Sequence, residues 1–104
     1  IYALEGLKDI VQTESSFKIE LILAIILIPF IYVIDITIMK KYILFITLMG
    51  VLIAETINSS IERVVDLVTL EHHPMAKRAK DVGSTIVFLS ILLFVVIWGN
   101  ILNK

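Results

Sequence analysis

Val82-Gly-Ser-Thr-Ile-Val-Phe-Leu-Ser-Ile-Leu-Leu-Phe-Val-Val-Ile-Trp-Gly-Asn-Ile-Leu-Asn103 is a run of twenty-two residues without a charge. At about 1.5 Å per helical residue such a run spans a hydrocarbon layer about 30 Å thick. Two further spans lie upstream. Leu21 to Ile34 is fourteen residues without a charge, lengthened by Ile19 and by Ile36 to Met39. Tyr42 to Ala54 is thirteen uncharged residues; Glu55 interrupts it, yet a helical pattern continues through Ile57, Ile61, Val64, Val65 and Leu67. Of the 104 residues 59% are hydrophobic, and mean hydropathy is +1.00, whereas an ordinary soluble domain is roughly 45–50% apolar. The fold class expected is an all-α membrane protein with membrane helices at about 19–38, 42–67 and 80–103.

Residues 1–18 differ in kind. Leu4, Leu7 and Val11 form one stripe while Glu5, Lys8, Asp9 and Gln12 lie elsewhere, the pattern of an amphipathic surface helix. Three places further along that stripe stands Glu14, which turns a carboxylate toward the bundle. No basic stretch followed by an apolar core precedes Leu21, so a cleaved leader is not expected in these residues. If the surface helix and the Leu67 to Lys80 connection share one side of the membrane, that side carries Lys8, Lys18, Arg63, Lys77, Arg78 and Lys80. Lys40, Lys41 and Lys104 face the other. The richer side is expected in the cytoplasm. Trp98, near the far end of the last span, suits a membrane–water interface. No internal repeat or linker divides residues 1–104, which are read as one domain. Polar groups inside three short helices need partners, so an oligomer is expected.

The polar residues inside the second span carry the chemistry. In Glu55-Thr-Ile-Asn58-Ser59-Ser-Ile-Glu62-Arg-Val-Val-Asp66, advancing about 100° per residue puts Asn58, Ser59, Glu62 and Asp66 within about 60° of Glu55. An unpaired carboxylate at the middle of a membrane helix costs roughly 2.5–3.5 kcal/mol. The stripe is therefore either a cation- or proton-handling site, or interhelical glue and acids that reach water; a small proton or cation transporter and an enzyme both fit it. A second cluster, Glu71-His-His73-Pro-Met-Ala-Lys77-Arg78-Ala-Lys80-Asp81, lies in the connection. Its basic residues suit topology anchors or headgroup contacts, and the adjacent histidines do not face one way on a helix, a poor metal site. Pro74 is expected to end the second span or start the third, Pro29 to kink the first. Gly50 and Gly83 read as close-packing glycines. A net charge of −1 gives no nucleic-acid-binding face, and the absence of cysteine excludes thiolate metal sites. Glycines at 6, 50, 83 and 99 make neither G-x-x-x-x-G-K-[ST] nor G-x-G-x-x-G.

Glu55-x-x-Asn58-[small]-x-x-Glu62-x-x-Val65-Asp66, then Glu71-x-His73 and Ala79-Lys80-Asp81-x-Gly83-Ser84, closely resembles the signature of the small integral-membrane bacterial diacylglycerol kinases. Ala3-Leu-Glu-Gly-Leu7, Glu14 and Phe17-Lys-x-Glu20 resemble the same family in order and spacing. The resemblance implies a homotrimer of three-helix subunits in the bacterial cytoplasmic (inner) membrane, phosphorylating diacylglycerol to phosphatidic acid with MgATP at shared sites on the cytoplasmic side. It implies Glu55 as general base, Asn58 as a residue ordering the site, and Glu14 and Glu62 as ligands of Mg²⁺. Tyr2, Glu71, His73, Lys80 and Asp81 would surround the nucleotide, and Glu20 and Ser84 would lie nearer the lipid. Lys18 and His72 depart from the residues usual in the family, at positions with no assigned catalytic role. A sister branch phosphorylates undecaprenol, and Asp66-Leu-Val-Thr69 with His73-Pro-x-Ala-Lys77 resembles that branch as well. Gly83-Ser84 and Phe17-Lys-x-Glu20 resemble the diacylglycerol branch, which is the reading preferred.

Overall fold

The computed structural model describes residues 1–69 and 71–103; Leu70 and Lys104, the latter among the basic residues counted above, lie outside the described residues. Four helices follow one another: α1 (Tyr2–Thr13), α2 (Ser15–Val33), α3 (Ile38–Val68) and α4 (Pro74–Leu102). The last three are each long and apolar enough to cross a membrane. This is an all-helical membrane protein with an additional N-terminal helix.

The boundaries differ from those expected, each for a local reason. The surface helix, expected over residues 1–18, stops at Thr13 because Glu14 adopts an extended backbone (φ −114°, ψ 107°). Residues 15–18 therefore open the first span, and Phe17 on its first turn is buried. That span, expected to reach residue 38, ends at Val33, and α3 starts at Ile38, where the Thr37 side chain caps it by accepting the Lys40 amide at 3.3 Å. The third span, expected from residue 80, begins six residues earlier at Pro74. Proline suits the first helical turn, where its missing N–H has no intrahelical partner. His73 precedes it as the cap, its Nδ1 accepting the Met75 amide at 3.1 Å. Pro29 lies inside α2, which runs on through it to Val33.

α3 packs chiefly on α4, α2 on α3, and α1 on α2. Cross-helix contacts run in antiparallel order. Between α2 and α3, Ser16 meets Glu55 and Tyr32 meets Lys41; between α3 and α4, Asp66 meets Lys80, Asn58 meets Gly83, and Thr47 meets Trp98. The bundle thus gathers α1, the start of α2, the end of α3 and the start of α4 at one end, where most of the charge lies. The apolar core lies farther along, with Phe17, Ala24, Ile31, Leu44, Leu48 and Leu52 among its members. Trp98 belongs to it. Rather than facing an interface, its indole turns inward, 7% exposed, and donates to the Thr47 hydroxyl at 3.0 Å and the Leu44 carbonyl at 3.3 Å. The Phe94 ring stacks 4.8 Å away. Gly83 packs tightly as expected, whereas Gly50 has no neighbour that would exclude a side chain.

Candidate active site

The polar face of α3 opens into a cleft of about 290 Å³ lined by Glu14, Ser16, Glu55, Asn58, Ser59, Glu62, Ser84 and Val87. Helical geometry alone aligns Glu55, Asn58, Ser59 and Glu62. The remaining members arrive from other elements. The extended residue between α1 and α2 carries Glu14 over α3, where its Oε2 accepts the Ser59 hydroxyl at 3.1 Å. Ser16, on the first turn of α2, donates its hydroxyl to Glu55 Oε2 at 3.4 Å. Ser84 arrives because Gly83 lets α4 approach closely. A Cβ at Gly83 would lie 2.5 Å from Asn58 Oδ1 and 3.5 Å from Ile61. That Asn58 oxygen is buried against Gly83 and accepts no hydrogen bond from the described residues.

Asp66, though on the same stripe, does not line this cleft. It accepts an ion pair from Lys80 at 2.7 Å and belongs to a neighbouring cleft of about 230 Å³ that also holds Glu71, His72, His73, Lys77 and Asp81. Lys80 stands between the two clefts, paired to Asp66 and within electrostatic reach of Glu62. Lys77 pairs with Asp81 at 2.7 Å. Because His73 Nδ1 caps α4, only its Nε2 remains open to a ligand. Glu20 lies beside Glu55 at the edge of a third, almost wholly apolar groove of about 260 Å³ whose walls include Leu27, Leu48, Val51 and Phe94. Its Oε1 is buried with no hydrogen-bond donor among the described residues. Tyr2 lines none of these hollows and is 93% exposed at the start of α1. Ser84 sits among the acids rather than in the apolar groove. Ser16 and Arg63, which the sequence does not single out, both engage the acidic end: the Arg63 guanidinium pairs with Asp9 and lies 3.6 Å from Glu14.

Residues 1–102 match the family model described as prokaryotic diacylglycerol kinase. The chain belongs to that family. It is therefore an enzyme of the kinase class. A diacylglycerol kinase from Haemophilus influenzae is 37% identical over 101 residues, covering 97% of this chain and 86% of the relative. One from Pseudomonas aeruginosa is 35% identical over 101 residues, 97% of this chain and 82% of the relative. The Escherichia coli K12 diacylglycerol kinase is 32% identical over 97 residues, 93% of this chain and 80% of the relative. Family membership ranks a kinase above a cation transporter or a structural subunit as the explanation of the acidic stripe.

Proposed function

We propose that this protein transfers the γ-phosphoryl group of ATP to the free hydroxyl of diacylglycerol, making phosphatidic acid at the cytoplasmic face of the bacterial inner membrane. The observation that carries the reading is the meeting of Glu14 with Glu55 and Glu62 in one polar cleft, beside an apolar groove edged by Glu20. A lipid hydroxyl and a polyphosphate need such a junction, one side apolar and the other charged.

The donor set suits Mg²⁺, which takes one or two carboxylates and completes its shell with phosphate oxygens and water. Glu14 and Glu62 supply two, and no cluster of three or more acidic or histidine side chains able to hold a metal by protein ligands alone occurs among the described residues. Bound there with the nucleotide, the ion would neutralise charge on the phosphates. Glu55 accepts the proton of the lipid hydroxyl as that oxygen bonds to the γ-phosphorus and the bond to ADP breaks. Its Oε2 accepts the Ser16 hydroxyl, and Glu20 stands beside the same carboxylate. Asn58 orders the cleft from its place against Gly83, and Lys80 contacts phosphate as a point charge. Glu71, His73 and Asp81 in the adjoining cleft border the nucleotide, toward which a neighbouring subunit of a homotrimer brings Tyr2. Glu20 and Ser84 flank the lipid headgroup.

α3 is 31 residues, about 46 Å at 1.5 Å each, well beyond the roughly 30 Å of hydrocarbon. Its charged last turns lie on the side with more lysine and arginine, which supports the reading of the cleft at the cytoplasmic boundary. The decisive experiment supplies radiolabelled ATP with diacylglycerol or with undecaprenol to the purified protein in detergent. Label in phosphatidic acid is expected. Label in undecaprenyl phosphate alone moves the assignment to the sister branch, and no labelled lipid in either assay overturns it.

A further inference from the structure

α1 lies along α3 with little packing between them. It buries only Ile10, and a hollow of about 440 Å³ separates Ala3, Gly6 and Leu7 on α1 from Thr56 and Ser60 on α3. At the edge of this hollow the Arg63 side chain crosses from α3 to α1. Arg63 pairs with the Asp9 carboxylate through one guanidinium nitrogen. Through the other it donates to the Thr13 hydroxyl at 2.8 Å and lies 3.6 Å from Glu14 Oε2. Thr13 in turn donates to the Asp9 carbonyl at 2.8 Å, so the last turn of α1 and the extended residue after it form one hydrogen-bonded unit around a single cation. Ser59, one turn before Arg63 on α3, holds the same Glu14 oxygen. The direction of Glu14 is thus set from α3, across a gap that apolar contacts leave open.

We propose that Arg63 is a positioning residue: its guanidinium ties Asp9, Thr13 and Glu14 to α3 and so presents the Glu14 carboxylate to the cleft opposite Glu62. The proposal rests on the kinase reading for its consequence, since Glu14 is a ligand of Mg²⁺ only there; the anchoring of α1 is independent of it. Arginine suits the task where lysine does not, because a planar fork serves three acceptors spread over the last turn of α1 and the residue after it, whereas an ammonium is a point charge. Arg63 touches no reacting atom, so its removal should act on metal affinity and not on the transfer step.

The test uses the full-length protein in detergent, with two readouts. Gln12, exposed on α1, is replaced by cysteine in this otherwise cysteine-free chain and spin-labelled; Mg²⁺ is titrated in the lipid phosphorylation assay. Arg63→Ala should sharpen the label's spectrum in the absence of nucleotide and raise the half-saturating Mg²⁺ concentration about 1.5- to fivefold, the range of a surface ion pair, with kcat at saturating Mg²⁺ largely kept. Arg63→Lys should recover part of both. If Arg63→Ala does not assemble, Asp9→Asn decides, with a smaller shift in the same direction expected. An unchanged spectrum or an unchanged Mg²⁺ requirement in the folded variant overturns the proposal and reduces the contact to an ordinary surface pair. A wild-type protein that phosphorylates no lipid, yet whose label is loosened by Arg63→Ala, defeats the kinase reading while the anchoring stands.

Discussion

Glu55 and Glu62 stand two helical turns apart, about 10.5 Å along the α3 axis, on one face of the helix. In the proposed reaction that separation lets one work at the lipid hydroxyl while the other works at the phosphates. Glu55→Gln keeps the shape and removes the proton acceptor, so turnover should fall by about 10²- to 10⁴-fold, the range of a positioned general base, with the oligomer intact by size-exclusion chromatography. Glu62→Gln should instead shift the Mg²⁺ titration of activity to higher concentration, as well as lowering its plateau. The stripe containing both was legible from spacing alone, because a helix turns by a constant angle. Asp66 shares the angle and yet leaves the cleft for Lys80, fourteen positions away. Ser16 escaped notice altogether, and Arg63 counted only toward orientation. Their partners lie 39 and 54 positions distant, and neither residue type is unusual enough to announce a contact at that range.

Among the elements, the α3–α4 contact bears directly on the site. Gly83 leaves room for Asn58, and a methyl group there would meet Oδ1 at 2.5 Å. Gly83→Ala should therefore push Asn58 out of place or spread the two helices, lowering kcat by about tenfold or more, since small misplacements at a reacting site have costs of that order. A full-rate Gly83→Ala enzyme would show that Asn58 is not needed where it stands. At the other end of the same contact, Trp98→Phe removes a donor to Thr47 and Leu44 while keeping the ring beside Phe94. It should cost about 1 kcal/mol of stability, measured as an earlier thermal unfolding in detergent, with activity unchanged below the transition. The helix ends were the least legible feature. The break at Glu14 leaves no trace in composition, while Thr37 and Pro74 mark helix starts that hydropathy overran or missed.

In the whole molecule, the outer faces of α2, α3 and α4 remain apolar and exposed, with Ile22, Ile26, Ile46, Phe88, Leu92 and Val96 among them. In a bilayer such faces meet lipid or another copy of the chain, and the family resemblance implies three copies. Glu14, Glu55 and Glu62 line one cleft within a chain; if a working site takes all three from that chain, mixing Glu14→Gln subunits with Glu55→Gln subunits should restore no activity. Recovery on mixing would mean that these carboxylates meet across a subunit boundary. By itself the sequence determined how many helices span the membrane, which face of the second span is polar, and which family the pattern resembles. All of these follow from local quantities: length, charge and the constant pitch of a helix. Only the tertiary structure decided that Glu14 meets that face, that Asp66 does not join it, and that Trp98 turns inward. Each depends on where one helix lies against another, a balance of contacts between residues far apart in the chain that no local pattern encodes.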